Sequence, residues 1–193
     1  MKTQATVVDP LIDRLCEAVR LGEVHAITER IKDDLESFIP SEGLTLPERF
    51  RRPKTEGYAR RLLYRDDDLG FTAVVMTWGP GQRTALHDHA GIWCVEGVME
   101  GEMEVTRYEL LAEEGDGLYR FAERGSAHAR AGSAGALIPP FEHHVLANAS
   151  PDRVALTLHV YGGEMDHCDV FQPESGDRGE LYRRCSKRLS YDD

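Results

Sequence analysis

From Tyr58 onward the chain is a succession of short β-prone runs, and this pattern limits its fold more than any single motif. YARRLLYRD, FTAVVMTW, GIWCVEGVMEG, MEVTRYELL, LYRFAERGSAHARAG, GALIPPFEHHVLANAS, VALTLHVYG and CDVFQPES are rich in branched and aromatic residues. Turn chemistry such as D-D-D-L-G, G-P-G-Q and S-P-D-R divides them. Regular short strands predict a mainly β, antiparallel, jelly-roll-like barrel. Ahead of it, Leu11, Leu15, Ala18, Val19 and then Val24, Ile27, Ile31, Leu35 recur at three- and four-residue spacing. Asp9 and Pro10 form a start signal, so residues of about 9–37 are expected to be helical, with Gly22 separating two helices.

At 193 residues, 41% of them hydrophobic, the chain can bury one core and is short for two. A single domain, 1–193, is therefore expected, its barrel over about 58–172 and a C-terminal tail over 173–193, of which the last residues, KRLSYDD, are polar and expected to fray. The formal charge of −11 argues against nucleic acid or an anionic membrane surface as partner, since both need a basic face. No stretch approaches a membrane span, and the N-terminus lacks the apolar run of a secretory signal. A cytoplasmic location follows as the expectation. The four cysteines (Cys16, Cys94, Cys168, Cys185) have no CxxC pair and are expected to be reduced thiols. Monomer and small homo-oligomer are both compatible with the sequence.

The chemistry concentrates in HDHAGIWC, residues 87–94. On a strand, His87 and His89 would share one face while Asp88 points away, and two imidazoles on one face can bind a transition metal. An isolated HxH is more often a pair of partly exposed strand histidines. Its surroundings change that balance. Gly81 precedes His87 by five intervening residues, and Gly101 follows Cys94 after six. This resembles the first cupin motif, with Cys94 where the motif has glutamate. I-P-P-F-E-H-H-V-L-A-N resembles the second: Pro139 and Asn148 stand in register with His144, and Phe141 replaces a glycine. The register selects His144 over His143 as the third ligand. Three histidines without a carboxylate suit iron, or equally zinc with an activated water.

Y-A-R (58–60), H-D-H…C (87–94), the lone downstream His144 and T-L-H-V-Y (157–161) followed by Cys168 together resemble the cysteine dioxygenase family of thiol dioxygenases, built on a cupin barrel. The likeness runs over roughly 50–172. It implies Fe(II) as cofactor on His87, His89 and His144, with a small thiol and O2 as substrates. It also implies Arg60 as the clamp on the substrate carboxylate, with Tyr58 beside it. His159 and Tyr161 would be a catalytic pair fixed by Thr157, and Cys94 a cysteine able to cross-link to Tyr161. Cys168 matches a cysteine near the family's pocket, whereas Cys16 and Cys185 are expected to be incidental. An arginine in the Y-x-R position points to L-cysteine, where relatives that use 3-mercaptopropionate carry glutamine. Mercaptosuccinate is the rival substrate, with Arg83 or Arg124 as a second cation.

Physical chemistry supports the same roles. An arginine fork donates two parallel hydrogen bonds to a carboxylate. Arg61 should face oppositely and be solvated. In T-L-H-V-Y, Leu158 and Val160 take one face and Thr157, His159 and Tyr161 the other, so a hydroxyl, an imidazole and a phenol could form a relay in which His159 orients Tyr161. Without the metal motifs, that run would read as a half-exposed strand, Arg60 as a surface arginine and Cys94 as a small buried hydrophobe. Outside the dioxygenases, a zinc or manganese isomerase or hydrolase, or a ligand-binding cupin without catalysis, shares the three histidines.

Overall fold

The computed structural model describes residues 8–42, 46–175 and 180–193. Two helices, α1 (Asp9–Val19) and α2 (Val24–Glu42), open the fold. Gly22, at φ 80°, turns the chain between them. The helical segment thus runs past residue 37, carrying Pro40 in its last turns. A short 3-10 helix, Glu48–Arg51, leads into the strands. These are β1 (Ala59–Asp66), β2 (Phe71–Trp78), β3 (Leu86–His87), β4 (Cys94–Glu100), β5 (Glu102–Gly115), β6 (Leu118–Arg130), β7 (Ala134–Leu137), β8 (His144–Asn148), β9 (Ala155–Tyr161), β10 (His167–Pro173) and β11 (Leu181–Arg188).

Every strand pairing is antiparallel. One sheet has the order β1-β2-β9-β4-β7, and the other closes on itself as β10-β11-β6-β5-β8-β3. This is the mainly β barrel with N-terminal helices that the short runs predict.

The five-stranded sheet has both faces covered, which explains why FTAVVMTW is an unbroken apolar run. Phe71, Ala73 and Val75 point outward into a core shared with Leu15, Ile31, Leu35 and Phe38 of the helices. Val74, Met76 and Trp78 point inward with Cys94, Leu146 and Tyr161. Strand β9 behaves likewise. All its residues are buried, Leu156, Leu158 and Val160 against the helices and Thr157, His159 and Tyr161 inside the barrel. Helix α2 lies so close to β4 that a Cβ on Gly97 would stand 3.0 Å from Leu35 Cδ1.

The C-terminal segment departs from expectation. Within the expected tail, Leu181–Arg188 forms β11, paired with β10 and β6, so the first two residues of KRLSYDD lie in a strand. LYRRCSKR hides this strand because its outer face is solvated and its ladder partners lie far away in sequence. Beyond it, the Asp192 carboxylate accepts hydrogen bonds from Arg60 N (2.9 Å) and Lys54 Nζ (2.7 Å). Burial pushes the Asp192 carboxyl up, but these bonds outweigh it and hold it below the usual range. Asp192→Asn is therefore expected to cost about 1 kcal/mol in urea unfolding at neutral pH. Because the folded-state carboxyl is the stronger acid, that difference should fade as pH falls below about 4.

Candidate metal centre

The inward faces of the two sheets meet over three histidines. His87 ends β3 and stands opposite His144 of β8 in register. His89 follows outside the strand, so strand alternation is not what aligns the pair. A turn does this. Asp88 Oδ1 accepts from Ala90 N (3.2 Å) and from Asp169 N of β10 (2.9 Å), pointing the carboxylate away, and Ala90 and Gly91 take positive φ. The three imidazoles then bring ligand atoms within 4.8 Å of one another. His143, adjacent to His144, packs instead against Phe121 and Phe171.

The nitrogens are prepared for a cation. His87 Nδ1 contacts Ala85 O at 3.1 Å and His144 Nδ1 contacts Glu142 O at 2.7 Å. A carbonyl can only accept, so these Nδ1 atoms carry the protons and the Nε2 lone pairs face the centre. His144 Nε2 and both nitrogens of His89 are buried with no hydrogen-bond partner among the described residues. Burial, helped by the neighbouring His144, pushes His87 down to about 3 and His89 well below the ordinary histidine range. Converging imidazoles, His89 and His144 buried and His87 half-buried, with orphaned nitrogens at the centre fit a divalent transition metal.

Strands β4 and β9 supply the facing wall. Their register sets Cys94 against Tyr161, Glu96 against His159 and Val98 against Thr157. Directly opposed residues on one face are contact neighbours. Burial holds the Cys94 thiol well above its ordinary range, Glu96 adds to this, and a hydrogen bond with Tyr161 opposes it. Trp78 Nε1 donates to Thr157 Oγ1 (2.9 Å), and the Thr157 oxygen lies 2.7 Å from His159 Nε2. The opposite ring nitrogen, Nδ1, lies 3.1 Å from Glu96 Oε1. His159 and Tyr161 stack instead, rings near parallel (18°) with centroids 6.0 Å apart. The free side of the His159 ring thus faces Glu96 rather than the Tyr161 hydroxyl.

Glu96 is the residue that sequence reasoning missed. Its Oε1 lies 3.3 Å from His144 Nε2 as well as 3.1 Å from His159 Nδ1. Burial would raise its carboxyl, but the two imidazoles outweigh that and hold it well below the usual range. The readable signal was a lone charged residue at an inward position of CVEGVM, two residues from Cys94.

Arg60 is only 4% exposed, so it is not a surface arginine. Its guanidinium donates to Met165 O (2.9 Å) and Ser190 O (3.3 Å) and lies over the Tyr191 ring. Its Nε is buried without a partner among the described residues. Tyr58 packs on Trp78, with ring centroids 4.4 Å apart. Both Arg60 and Tyr58 line a cleft of about 190 Å³ with Lys54, Lys187 and Arg188. A second cavity of about 190 Å³ reaches Glu96, Thr157 and His159 between Val98, Met103, Leu137 and Leu146. Arg61 is not solvated as expected. It is 6% exposed and donates to Asp193 O and Thr77 Oγ1, because the C-terminal segment covers that face. Arg83 and Arg124 are exposed, the latter paired with Glu109, and neither lines these two cavities. Cys168 is buried, its thiol raised to about 11 by burial.

The family model described as cysteine dioxygenase type I matches residues 8–174, which takes in both helices and every residue of the centre. The chain belongs to the cysteine dioxygenase type I family. Cysteine dioxygenase type 1 of Homo sapiens is 22% identical over 165 residues, covering 86% of this chain and 76% of its own. The Rattus norvegicus protein of the same name is 22% identical over 124 residues, covering 64% and 60%. Among solved structures, an oxalate oxidase in complex with glycolate matches with TM-score 0.42 at 22% identity, covering 57% of this chain and 53% of its own. A Thermus thermophilus protein, TT1209, matches with TM-score 0.43 at 22% identity, covering 59% and 90%. Among the described residues, no helix of this family member is long and apolar enough to cross a membrane.

Proposed function

We propose that the protein is an iron-dependent thiol dioxygenase that adds both atoms of O2 to the sulfur of a small thiol carboxylate, with L-cysteine, giving cysteine sulfinate, as the leading substrate. The observation that carries this reading is the convergence of His87, His89 and His144 opposite Cys94 and Tyr161 in a chain of this family. The three histidines would hold Fe(II), which supplies oxygen activation and a seat for sulfur. The reaction balances as R–SH + O2 → R–SO2H, with no external reductant.

The chain's own residues bind and orient. Arg60 has an unpaired buried Nε–H and spare terminal N–H groups to offer a carboxylate, and its bonds to Met165 O and Ser190 O fix its fork in place. Tyr58 lines the same cleft as Arg60. Thr157 fixes the His159 ring, and Tyr161 presents a buried phenol beside Cys94, raised well above its ordinary range first by burial. That phenol stays protonated and is a hydrogen-bond donor to the reacting groups.

Arg60→Ala is expected to raise KM for cysteine by about 10–100-fold with iron still bound, as for loss of a charged hydrogen-bond pair. For cysteamine, a thiol without a carboxylate, kcat/KM should not change. Equal losses on both thiols would remove the clamp from the account. Mercaptosuccinate and 3-mercaptopropionate, assayed alongside, rank the rival substrates. Iron against zinc is decided by which metal restores O2 consumption to stripped protein.

The register of Cys94 against Tyr161 also supports a thioether between Cys94 Sγ and the Tyr161 ring. Forming it removes two hydrogen atoms, taken by O2 as hydrogen peroxide. Aerobic turnover should then yield a fraction lighter by two hydrogen masses. Cys94→Ala should lack that fraction while keeping its metal. Loss of metal in this variant would mark Cys94 as a ligand.

A further inference from the structure

We infer that Glu96 is a fourth, anionic donor of the metal centre, standing beside His87, His89 and His144. This rests on the reading of the three histidines as a metal site. Glu96 points inward from β4, two residues beyond Cys94 and on the same face. Its Oε1 is 3.3 Å from His144 Nε2, the nitrogen that the His144 hydrogen bond to Glu142 O leaves free for a metal. Two donors each about 2.0–2.2 Å from one ion, at adjacent corners of its coordination shell, are about 3 Å apart. The spacing is therefore that of neighbouring ligands. A carboxylate oxygen of Glu96 also lies within 4.8 Å of ligand atoms of His89 and Cys94, a set that shares only His89 with the three histidines.

Satisfaction of polar groups points the same way. Glu96 Oε1, His144 Nε2, His159 Nδ1 and both nitrogens of His89 are all buried, and none has a well-directed hydrogen-bond partner among the described residues. A carboxylate withdrawn from water without a partner costs several kcal/mol. A cation on the imidazoles would partner His144 Nε2, one nitrogen of His89 and Glu96 Oε1. His159, 3.1 Å away, then orients Glu96, and Thr157 and Trp78 in turn orient His159. Negative charge is retained at the centre even though position 94 is a cysteine.

The alternative is that Glu96 is only a counter-ion to the neighbouring imidazoles. Wild-type protein, Glu96→Gln and Glu96→Ala are stripped, checked for a cooperative melt, and titrated with Fe(II) and with Zn(II) against a chelator. X-ray absorption then counts the donors around the bound metal. Both variants should fold, and the alanine variant should bind either metal more than about 100-fold more weakly, beyond the roughly 10–100-fold loss expected of a partner one bond removed from the metal. The alanine variant should lack one short oxygen donor. Equal affinities and an unchanged donor set in a well-folded Glu96→Ala protein would overturn the inference and leave the histidine site standing. Failure of the wild type to bind either metal would overturn both.

Discussion

His144→Ala is expected to abolish metal retention and, with it, all thiol-dependent oxygen uptake. His144 is fully buried, its Nδ1 is pinned to Glu142 O, and its Nε2 faces both the other histidines and Glu96. Losing a partner one bond removed from a metal costs roughly 10–100-fold in affinity, and a direct ligand exceeds that. Metal saturating at about 100 times its dissociation constant stabilises a protein by about 2.7 kcal/mol, so the metal-induced rise in Tm should vanish in the variant. His143→Ala is the control. His143 contacts Phe121 and Phe171 rather than the centre, so that variant should lose packing energy while keeping its metal. Metal content after dialysis, read beside the melting curves, separates the two outcomes.

Trp78→Ala should have the largest effect on stability, about 3–5 kcal/mol in denaturant unfolding, against a total of about 5–15 kcal/mol for a domain. The side chain is fully buried, stacks on Tyr58 and donates to Thr157. Its carbonyl receives Asn148 Nδ2, which ties the end of β8 to β2. Trp78→Phe keeps most of the volume and removes only the indole donor. Its stability loss should be smaller, about 1–3 kcal/mol from the hydrogen bond, and turnover should fall because Thr157 no longer fixes His159. A Trp78→Phe enzyme with unchanged kcat would show that this chain of contacts is structural alone.

Where one residue's surroundings are set by its own strand, the sequence was readable. FTAVVMTW is β2 residue for residue, and the alternation in TLHVY places Thr157, His159 and Tyr161 inside the barrel. His144 could be told from His143 because only one of two adjacent strand residues faces inward. Features built by distant segments were not readable. Arg61 is buried by the segment around Asp193, and β11 is held by ladders to β10 and β6 rather than by apolar content. His89 reaches its neighbours through a turn tied to Asp169, a contact across 81 positions. Glu96 escaped because a glutamate in sequence normally marks the solvated face. Here both faces of the strand are covered, by α2 on one side and by the opposite sheet on the other.

The measurement that bears most directly on the central claim is oxygen consumption by anaerobically iron-loaded protein, with sulfinate quantified in the same reaction. Cysteine, 3-mercaptopropionate and mercaptosuccinate are each supplied as substrate, and His144→Ala serves as the blank. The account predicts equal molar amounts of O2 consumed and sulfinate formed, with cysteine first in rank and nothing above background in the blank. Iron bound in full with no uptake on any thiol, or uptake that ends in disulfide and peroxide without sulfinate, would contradict it.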